Sequence, residues 1–314
     1  MKTDRSEVNV ALNFNDGFIM PGMVSIYSFA KHNSGKGCRI NMHILYSDIS
    51  EKNRKRIEKL VGIFDDLTLN FIYVDDAMFS GFCLPKIRNI PYETYYKILL
   101  PRLLEEKTKV MYIDADTLTR CFVLDMYNDL NLEDVYIAGV QNAGVFRRST
   151  QHLADIGLSE KDNYINAGQF IMNLELLRID KKMEKMFDDA KNSHIHMEFV
   201  DQDLLMRALH KKTIYLSRQY NFTWADMQDF PNALEDVKMA HFNGSRKPWN
   251  IGTDLTLPFY QEWVDTRSEI EKLLFPTYRI KRIMRYGRFF SRFLVRIKQS
   301  ISLRTRVKIL LKKM

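Results

Sequence analysis

Cysteine is scarce in this 314-residue chain, which holds only Cys38, Cys83 and Cys121. The number is odd and no pair sits at metal-ligand spacing, which argues against a disulfide scaffold and points to a reducing compartment. No run of about 18 apolar residues occurs, so no transmembrane helix is expected. The opening stretch MKTDRSEVNVALNF is polar, carries acids and lacks an apolar segment of signal-peptide length. The expectation is a cytoplasmic protein, for which the sequons at Asn221 and Asn243 carry no meaning. Internal repeats, low-complexity tracts and Pro/Gly linkers are absent before about residue 275.

Acidic residues are missing from one end altogether. Residues 276–314 hold 13 of the 47 Lys and Arg and none of the 39 Asp and Glu. The net charge of +8 therefore belongs to the tail, and the rest of the chain is mildly acidic. Wound as a helix over residues 280–301, the tail puts Ile283, Phe290, Leu294, Ile297 and Ile301 within about 40° of one line. Arg285, Arg288, Arg292 and Arg296 fall opposite. That pattern suits an anionic membrane surface. A helix packed on the domain and a basic nucleic-acid arm are the other readings, and no aromatic-interleaved motif supports the last. Two domains are expected: 1–275, and a basic amphipathic tail over 276–314.

What is present is an alternation of strand and helix patterns. Strands are expected at Val8–Phe14, Arg39–Tyr46, Leu67–Val74, Lys109–Ile113, Val135–Val140, Gly168–Leu174 and Val237–Phe242. Helices are expected from Pro21, from Glu51 with Ser50 as N-cap, and over Thr94–Leu104, Asp180–Lys191, Asp201–His210 and Phe259–Leu274. The class is α/β, with a mostly parallel central sheet.

Four segments carry chemistry. Asp114-Ala115-Asp116 ends the apolar strand KVMYI, and ligand sites in open α/β sheets lie beyond the carboxyl ends of strands. Carboxylates at i and i+2 share one side of an extended chain, a natural oxygen pair for a hard cation such as Mn²⁺ or Mg²⁺. The plain alternative is two surface aspartates opening a loop. His241-Phe242-Asn243-Gly244-Ser245-Arg246-Lys247-Pro248-Trp249 supplies an imidazole suited to Mn²⁺, a flexible Gly244 and a cation at Lys247 suited to phosphate. Taken alone it is equally a turn beside a buried Trp. YINAGQFIMNL, Tyr164–Leu174, sets Asn166-Ala167-Gly168 before an apolar strand. Asp201-Gln202-Asp203 precedes LLMRAL, where Asp201 also suits a helix N-cap and Asp203 a first helical turn.

In this order and spacing the four segments resemble glycosyltransferase family 8, over about residues 8–265. The resemblance implies a GT-A, Rossmann-like fold and retaining transfer of a galactose or glucose from a UDP-sugar. The acceptor would be a saccharide or glycolipid of lipopolysaccharide or surface-polysaccharide synthesis, and the chain would sit peripherally on the inner face of the plasma membrane. It implies Mn²⁺ on Asp114, Asp116 and His241, with Asp114 and Ala115 also at the donor. Gly244 and Lys247 would hold the diphosphate. Asn166, Ala167, Asp201, Gln202 and Lys97 would meet the donor sugar, and Ala11, Asn13 and Asn15 the uridine. Gln202 is the catalytic candidate, positioning the sugar along a front-face route, and Asp201 is the fallback nucleophile. Three positions depart from the family pattern: Asn13-Phe14-Asn15-Asp16 stands for an Asp-Asp-Asn-Tyr-like run, Lys97 for Arg, and Asn142 for Asp. The departures at Asn13 and Lys97 motivate a second reading, a UDP-sugar-binding protein of the same fold without transfer activity.

Overall fold

The computed structural model describes residues 6–82, 91–142, 144–145, 150–192, 194–195, 197–250 and 256–275. The expected tail helix over 280–301 lies outside them. Contacts divide the chain into two compact units, Met1–Thr266 and Arg267–Met314. In the second, an i,i+4 pair joins Arg267 to Glu271 at 2.9 Å.

The first unit is built on a seven-stranded sheet in the order β3-β2-β1-β4-β7-β6-β8. Its strands are β1 Ser6–Asn13, β2 Cys38–Tyr46, β3 Leu67–Tyr73, β4 Lys109–Ile113, β6 Ile137–Gln141, β7 Ile165–Asn173 and β8 Thr213–Leu216. Every pairing is parallel except the two that β7 makes, with β4 and β6. The α/β class and mostly parallel sheet match the sequence reading. Val8, Val10, Ala11 and Leu12 of β1 are wholly buried, as a strand covered on both faces must be. The helix Ile19–Asn33, buried along most of its length, packs against the short strand Thr117–Thr119. The helix Val200–Leu209 packs against β7 and the segment Tyr92–Leu99.

Several elements differ from expectation. Tyr92–Leu99 is a 3₁₀ run that passes into a short α-turn, Leu100–Leu103, where an α-helix was expected. Three residues per turn put Tyr92, Tyr95 and Ile98 on one side, and Tyr92 and Tyr95 stack on Phe79. Pro101 at the start of the α-turn has no N–H to give to a longer helix behind it. Ser50 does occupy the N-cap of Glu51–Glu58, but its hydroxyl donates to Asp16 Oδ1 at 3.2 Å instead of capping the helix. Two strands were missed because they are too short to show a period: β8, and β5 Thr117–Thr119. β5 pairs antiparallel with β9, Met239–His241, as a separate ribbon. No described helix is long and apolar enough to cross a membrane.

Candidate active site

The β5–β9 ribbon assembles the site. Thr117 pairs with His241, and Phe242 N donates to Asp116 O at 3.0 Å. The chain between β4 and β5 turns sharply, Thr117 N reaching back to Asp114 O at 3.2 Å. Asp114 and Asp116 therefore converge through a turn, not through the strand alternation expected from their spacing. The ribbon brings the imidazole to them: His241 Nε2 stands 3.2 Å from Asp116 Oδ1 and 3.5 Å from Asp114 Oδ2. One ligand atom from each of the three residues lies within 4.8 Å of the others.

The donor set fits a hard-to-borderline divalent cation, two carboxylates and one imidazole. The ring is also held in the form a metal requires. Asn221 Oδ1 accepts from His241 Nδ1 at 3.0 Å, which leaves Nε2 facing the carboxylates, where a bound cation would take its lone pair in place of a proton. Asn221 in turn donates to Asn166 Oδ1 at 3.0 Å, and Asn166 Oδ1 accepts from Gly168 N at 2.9 Å. A methyl group at Gly168 would sit 2.0 Å from His241 Cε1, so this glycine is what lets the ring lie across β7. Asn221 is 1% exposed. Thr223, the other polar residue of its sequon, closes a capping box with Asp226 on the helix Trp224–Asp229. The sequence reading met Asn221 only as a sequon, and nothing in that segment points to His241, twenty positions on.

Opposite charges crowd the carboxylates. Burial works against ionised Asp116, yet the nearby His241 and Lys247 more than offset it and hold its carboxyl well below the usual range. Lys247 donates to Asp116 and to Phe242 O. Gly244, between them, has φ +78°, a conformation that favours glycine.

Lys97 is deeply buried on the 3₁₀ run. Its ammonium meets Asp201 Oδ2 at 2.7 Å, Ala167 O at 3.0 Å and Asp114 Oδ1 at 3.4 Å. Burial opposes its charge, but Asp114 and Asp201 outweigh that and raise its pKa. Asp201 is raised too, burial outweighing the pull of Lys97. Three protein acceptors for three N–H groups make Lys97 a brace between Asp114 and Asp201. Asp201 is not the helix N-cap; that place is Phe199's, and Asp201 lies one residue inside the helix.

Gln202 is 7% exposed and firmly oriented. Its Oε1 accepts from Ala167 N at 3.1 Å and Asn142 Nδ2 at 3.2 Å, and its Nε2 donates to Tyr164 Oη at 3.0 Å. On the other flank, Asn13 Nδ2 donates to Glu93 O at 3.0 Å, and Asn15 Nδ2 to Glu93 Oε1 at 3.1 Å. Tyr112 Oη lies between Asn13 Oδ1 and Asp114 Oδ1, 2.8 Å from the latter.

Two cavities meet at the carboxylate pair. One, about 280 Å³, is lined by residues that include Lys97, Asn166, Ala167, Asp201, Gln202 and Gly244. The other, about 190 Å³, is lined by residues that include Asn13, Asn15, Phe18, Glu93 and Ala115. Asp114 and Asp116 border both. Ala11 lines neither; it is wholly enclosed in β1. Lys247 also lines neither, but it bonds to Asp116, which borders both.

A mostly parallel sheet with an acidic turn at a strand end, ringed by two such cavities, is the GT-A architecture. The structure is similar to the galactosyltransferase LgtC in complex with donor and acceptor sugar analogues, with TM-score 0.68 and 23% identity, over 83% of this chain and 96% of that one. It is also similar to the bifunctional glycosyltransferase WbbM, with TM-score 0.71 and 20% identity, over 87% of this chain but 52% of that one. Among sequences, a putative glycosyltransferase of Haemophilus influenzae is 28% identical over 72% of this chain and 68% of its own length. The lipopolysaccharide 1,2-glucosyltransferase of Escherichia coli K12 is 22% identical over 77% and 73%. The family model "Glycosyl transferase family 8" matches residues 9–252, and the chain belongs to that family.

Proposed function

We propose that this protein is a retaining hexosyltransferase that moves galactose or glucose from a UDP-sugar to a saccharide acceptor of lipopolysaccharide or surface-polysaccharide synthesis. The observation that carries the reading is the shared wall: Asp114 and Asp116 border both cavities. A nucleoside in the smaller cavity and a hexose in the larger one would place the diphosphate between them, at the carboxylates.

Asp114, Asp116 and His241 would hold Mn²⁺ or Mg²⁺, and a bound cation supplies charge neutralisation for a diphosphate leaving group. Lys247, already beside Asp116, adds a second positive charge. Asp201, braced by Lys97, and Asn166 face the sugar cavity as acceptors and donors for hydroxyls. Gln202 is a poor nucleophile, since an amide is neutral and its oxygen already accepts two hydrogen bonds. Retention then follows a front-face path. The sugar–phosphate C–O bond breaks, the acceptor hydroxyl adds on the face the phosphate leaves, and its proton passes to the departing phosphate oxygen.

The test is UDP release by the purified protein from UDP-galactose and UDP-glucose, with Mn²⁺ or with EDTA and with saccharide acceptors. Metal-dependent release supports the reading; no release and no UDP binding with any donor sinks it. UDP binding without transfer would favour the second reading, a non-transferring binder, for which the full commitment of Lys97 to protein acceptors speaks. The 13 basic residues of 276–314 extend the proposal to the inner membrane face. Deleting them should release the protein from anionic vesicles; unchanged partitioning would refute that part.

A further inference from the structure

Behind Gln202 lies a buried polar chain that makes no use of the metal corner. Asp203 is completely buried, and three groups donate to its carboxylate: Tyr164 Oη, Phe199 N at 2.8 Å and His152 Nε2 at 2.9 Å. His152 is 6% exposed and comes from a different helix, Thr150–Asp155. It belongs to none of the segments that carry the family resemblance. The two acids flanking Gln202 thus go to separate basic partners, Asp201 to the Lys97 ammonium and Asp203 to the His152 imidazole.

The direction of each hydrogen bond matters. An ionised carboxylate only accepts. Tyr164 has one proton, and with Asp203 charged that proton points to Asp203. The Tyr164 oxygen is then left to accept from Gln202 Nε2, so Gln202 Oε1 must face Ala167 N and Asn142. Were Asp203 protonated, Tyr164 would be free to donate toward Gln202, and the amide would lose its fixed sense.

We propose that His152 is a positioning residue for transfer: its ring, bonded to buried Asp203, holds that carboxylate in place as the acceptor for Tyr164 and thereby fixes, through Tyr164, the orientation of the Gln202 amide in the sugar cavity. The proposal rests on the transferase reading above. The hydrogen bond to Asp203 raises the pKa of His152, against the opposing effect of burial, and Asp203, Glu198 and Asp155 add favourable charge. Glu198 stands 3.9 Å from Nδ1 at the cavity wall, Asp155 lies on the same helix, and the rings of Tyr164 and Phe199 meet the imidazole in T-shaped contacts. Burial and the Asp203 charge hold the Tyr164 hydroxyl well above its ordinary value, so it stays a donor.

The test uses the full chain with UDP-glucose, UDP-galactose and Mn²⁺. His152→Gln puts a flexible amide in place of the rigid ring. The fixed hold on Asp203 is lost, and kcat should fall on the order of tenfold. Binding of UDP with Mn²⁺, read by calorimetry, should stay within about twofold of wild type, because the chain touches neither the carboxylate pair nor the smaller cavity. Tyr164→Phe cuts the same chain without unpairing His152 from Asp203. It should lower kcat similarly, and the double variant should be no worse than either single one. If His152→Gln fails to fold, Tyr164→Phe alone decides: unchanged kcat overturns the proposal. A wild-type kcat in His152→Gln, or additive losses in the double variant, also overturns it. If wild type itself neither binds UDP nor transfers, the transferase reading has failed and not this inference.

Discussion

The two cavities that meet at Asp114 and Asp116 are built on different plans. The larger one is walled by charged and amide groups that are buried and already bonded to the protein: Lys97 to Asp201, Gln202 to Ala167 and Tyr164, Asn166 to Asn221 and Gly168. The smaller one is walled by Asn13 and Asn15, both tied to Glu93, and by Phe18, which is 38% exposed. The difference separates two tasks. Fixed, desolvated polar groups stabilise charge that appears during a reaction, because they need not reorganise when it does. An open aromatic and a few amides suffice to hold a flat, neutral ring. A change in the larger cavity should strike turnover, and a change in the smaller one binding.

The largest effect is expected where the cavities join. Asp116→Asn keeps the shape but removes the charge, and turnover in the presence of Mn²⁺ should fall on the order of 10³-fold. Next comes the support of the imidazole. Gly168→Ala pushes against the His241 ring, and Asn221→Ala removes the partner of Nδ1. Either should weaken Mn²⁺ binding on the order of 10- to 100-fold; unaltered affinity in both would mean that His241 is no ligand. On the other side, Phe18→Ala should weaken UDP binding about 3- to 10-fold and leave kcat intact. A fall in kcat instead would erase the division of labour.

The smallest effect is a control away from both cavities. Burial lowers the pKa of His43, in β2, to about 4, Lys107 adding to the effect. Between pH 6.5 and about 4 the unfolded chain takes up a proton that the folded chain refuses, so folding stability falls across that window and the effect ends below it. The contribution is up to roughly 3 kcal/mol. Thermal melts of His43→Gln should lose that part of the pH slope; an unchanged slope would assign it to other groups.

The sheet was largely legible in the sequence because covered parallel strands read as apolar runs, as at Val10–Leu12 and Val110–Ile113. The carboxylate pair was legible as a motif, but the reason for its convergence was not. That reason is a turn plus β5 and β9, three residues each, too short for any period to show. The third candidate ligand, His241, was reached through resemblance, since nothing in its own segment says that Thr117 will pair with it. Lys97 was identified as a site residue, yet its role as a brace depends on Ala167 and Asp201, seventy or more positions away. Asn221 was legible only as a sequon, and His152 not at all. Each is a single polar residue whose meaning comes wholly from partners that folding brings to it.

The central claim is that Asp114, Asp116 and His241 hold a cation which in turn holds the diphosphate. Calorimetric titration of UDP into wild type and Asp116→Asn, each with Mn²⁺ and with EDTA, tests it most directly. UDP should bind wild type at least about tenfold tighter with Mn²⁺, and this coupling should vanish in Asp116→Asn. Equal UDP affinity with and without Mn²⁺ in wild type, or coupling that survives in Asp116→Asn, would contradict it.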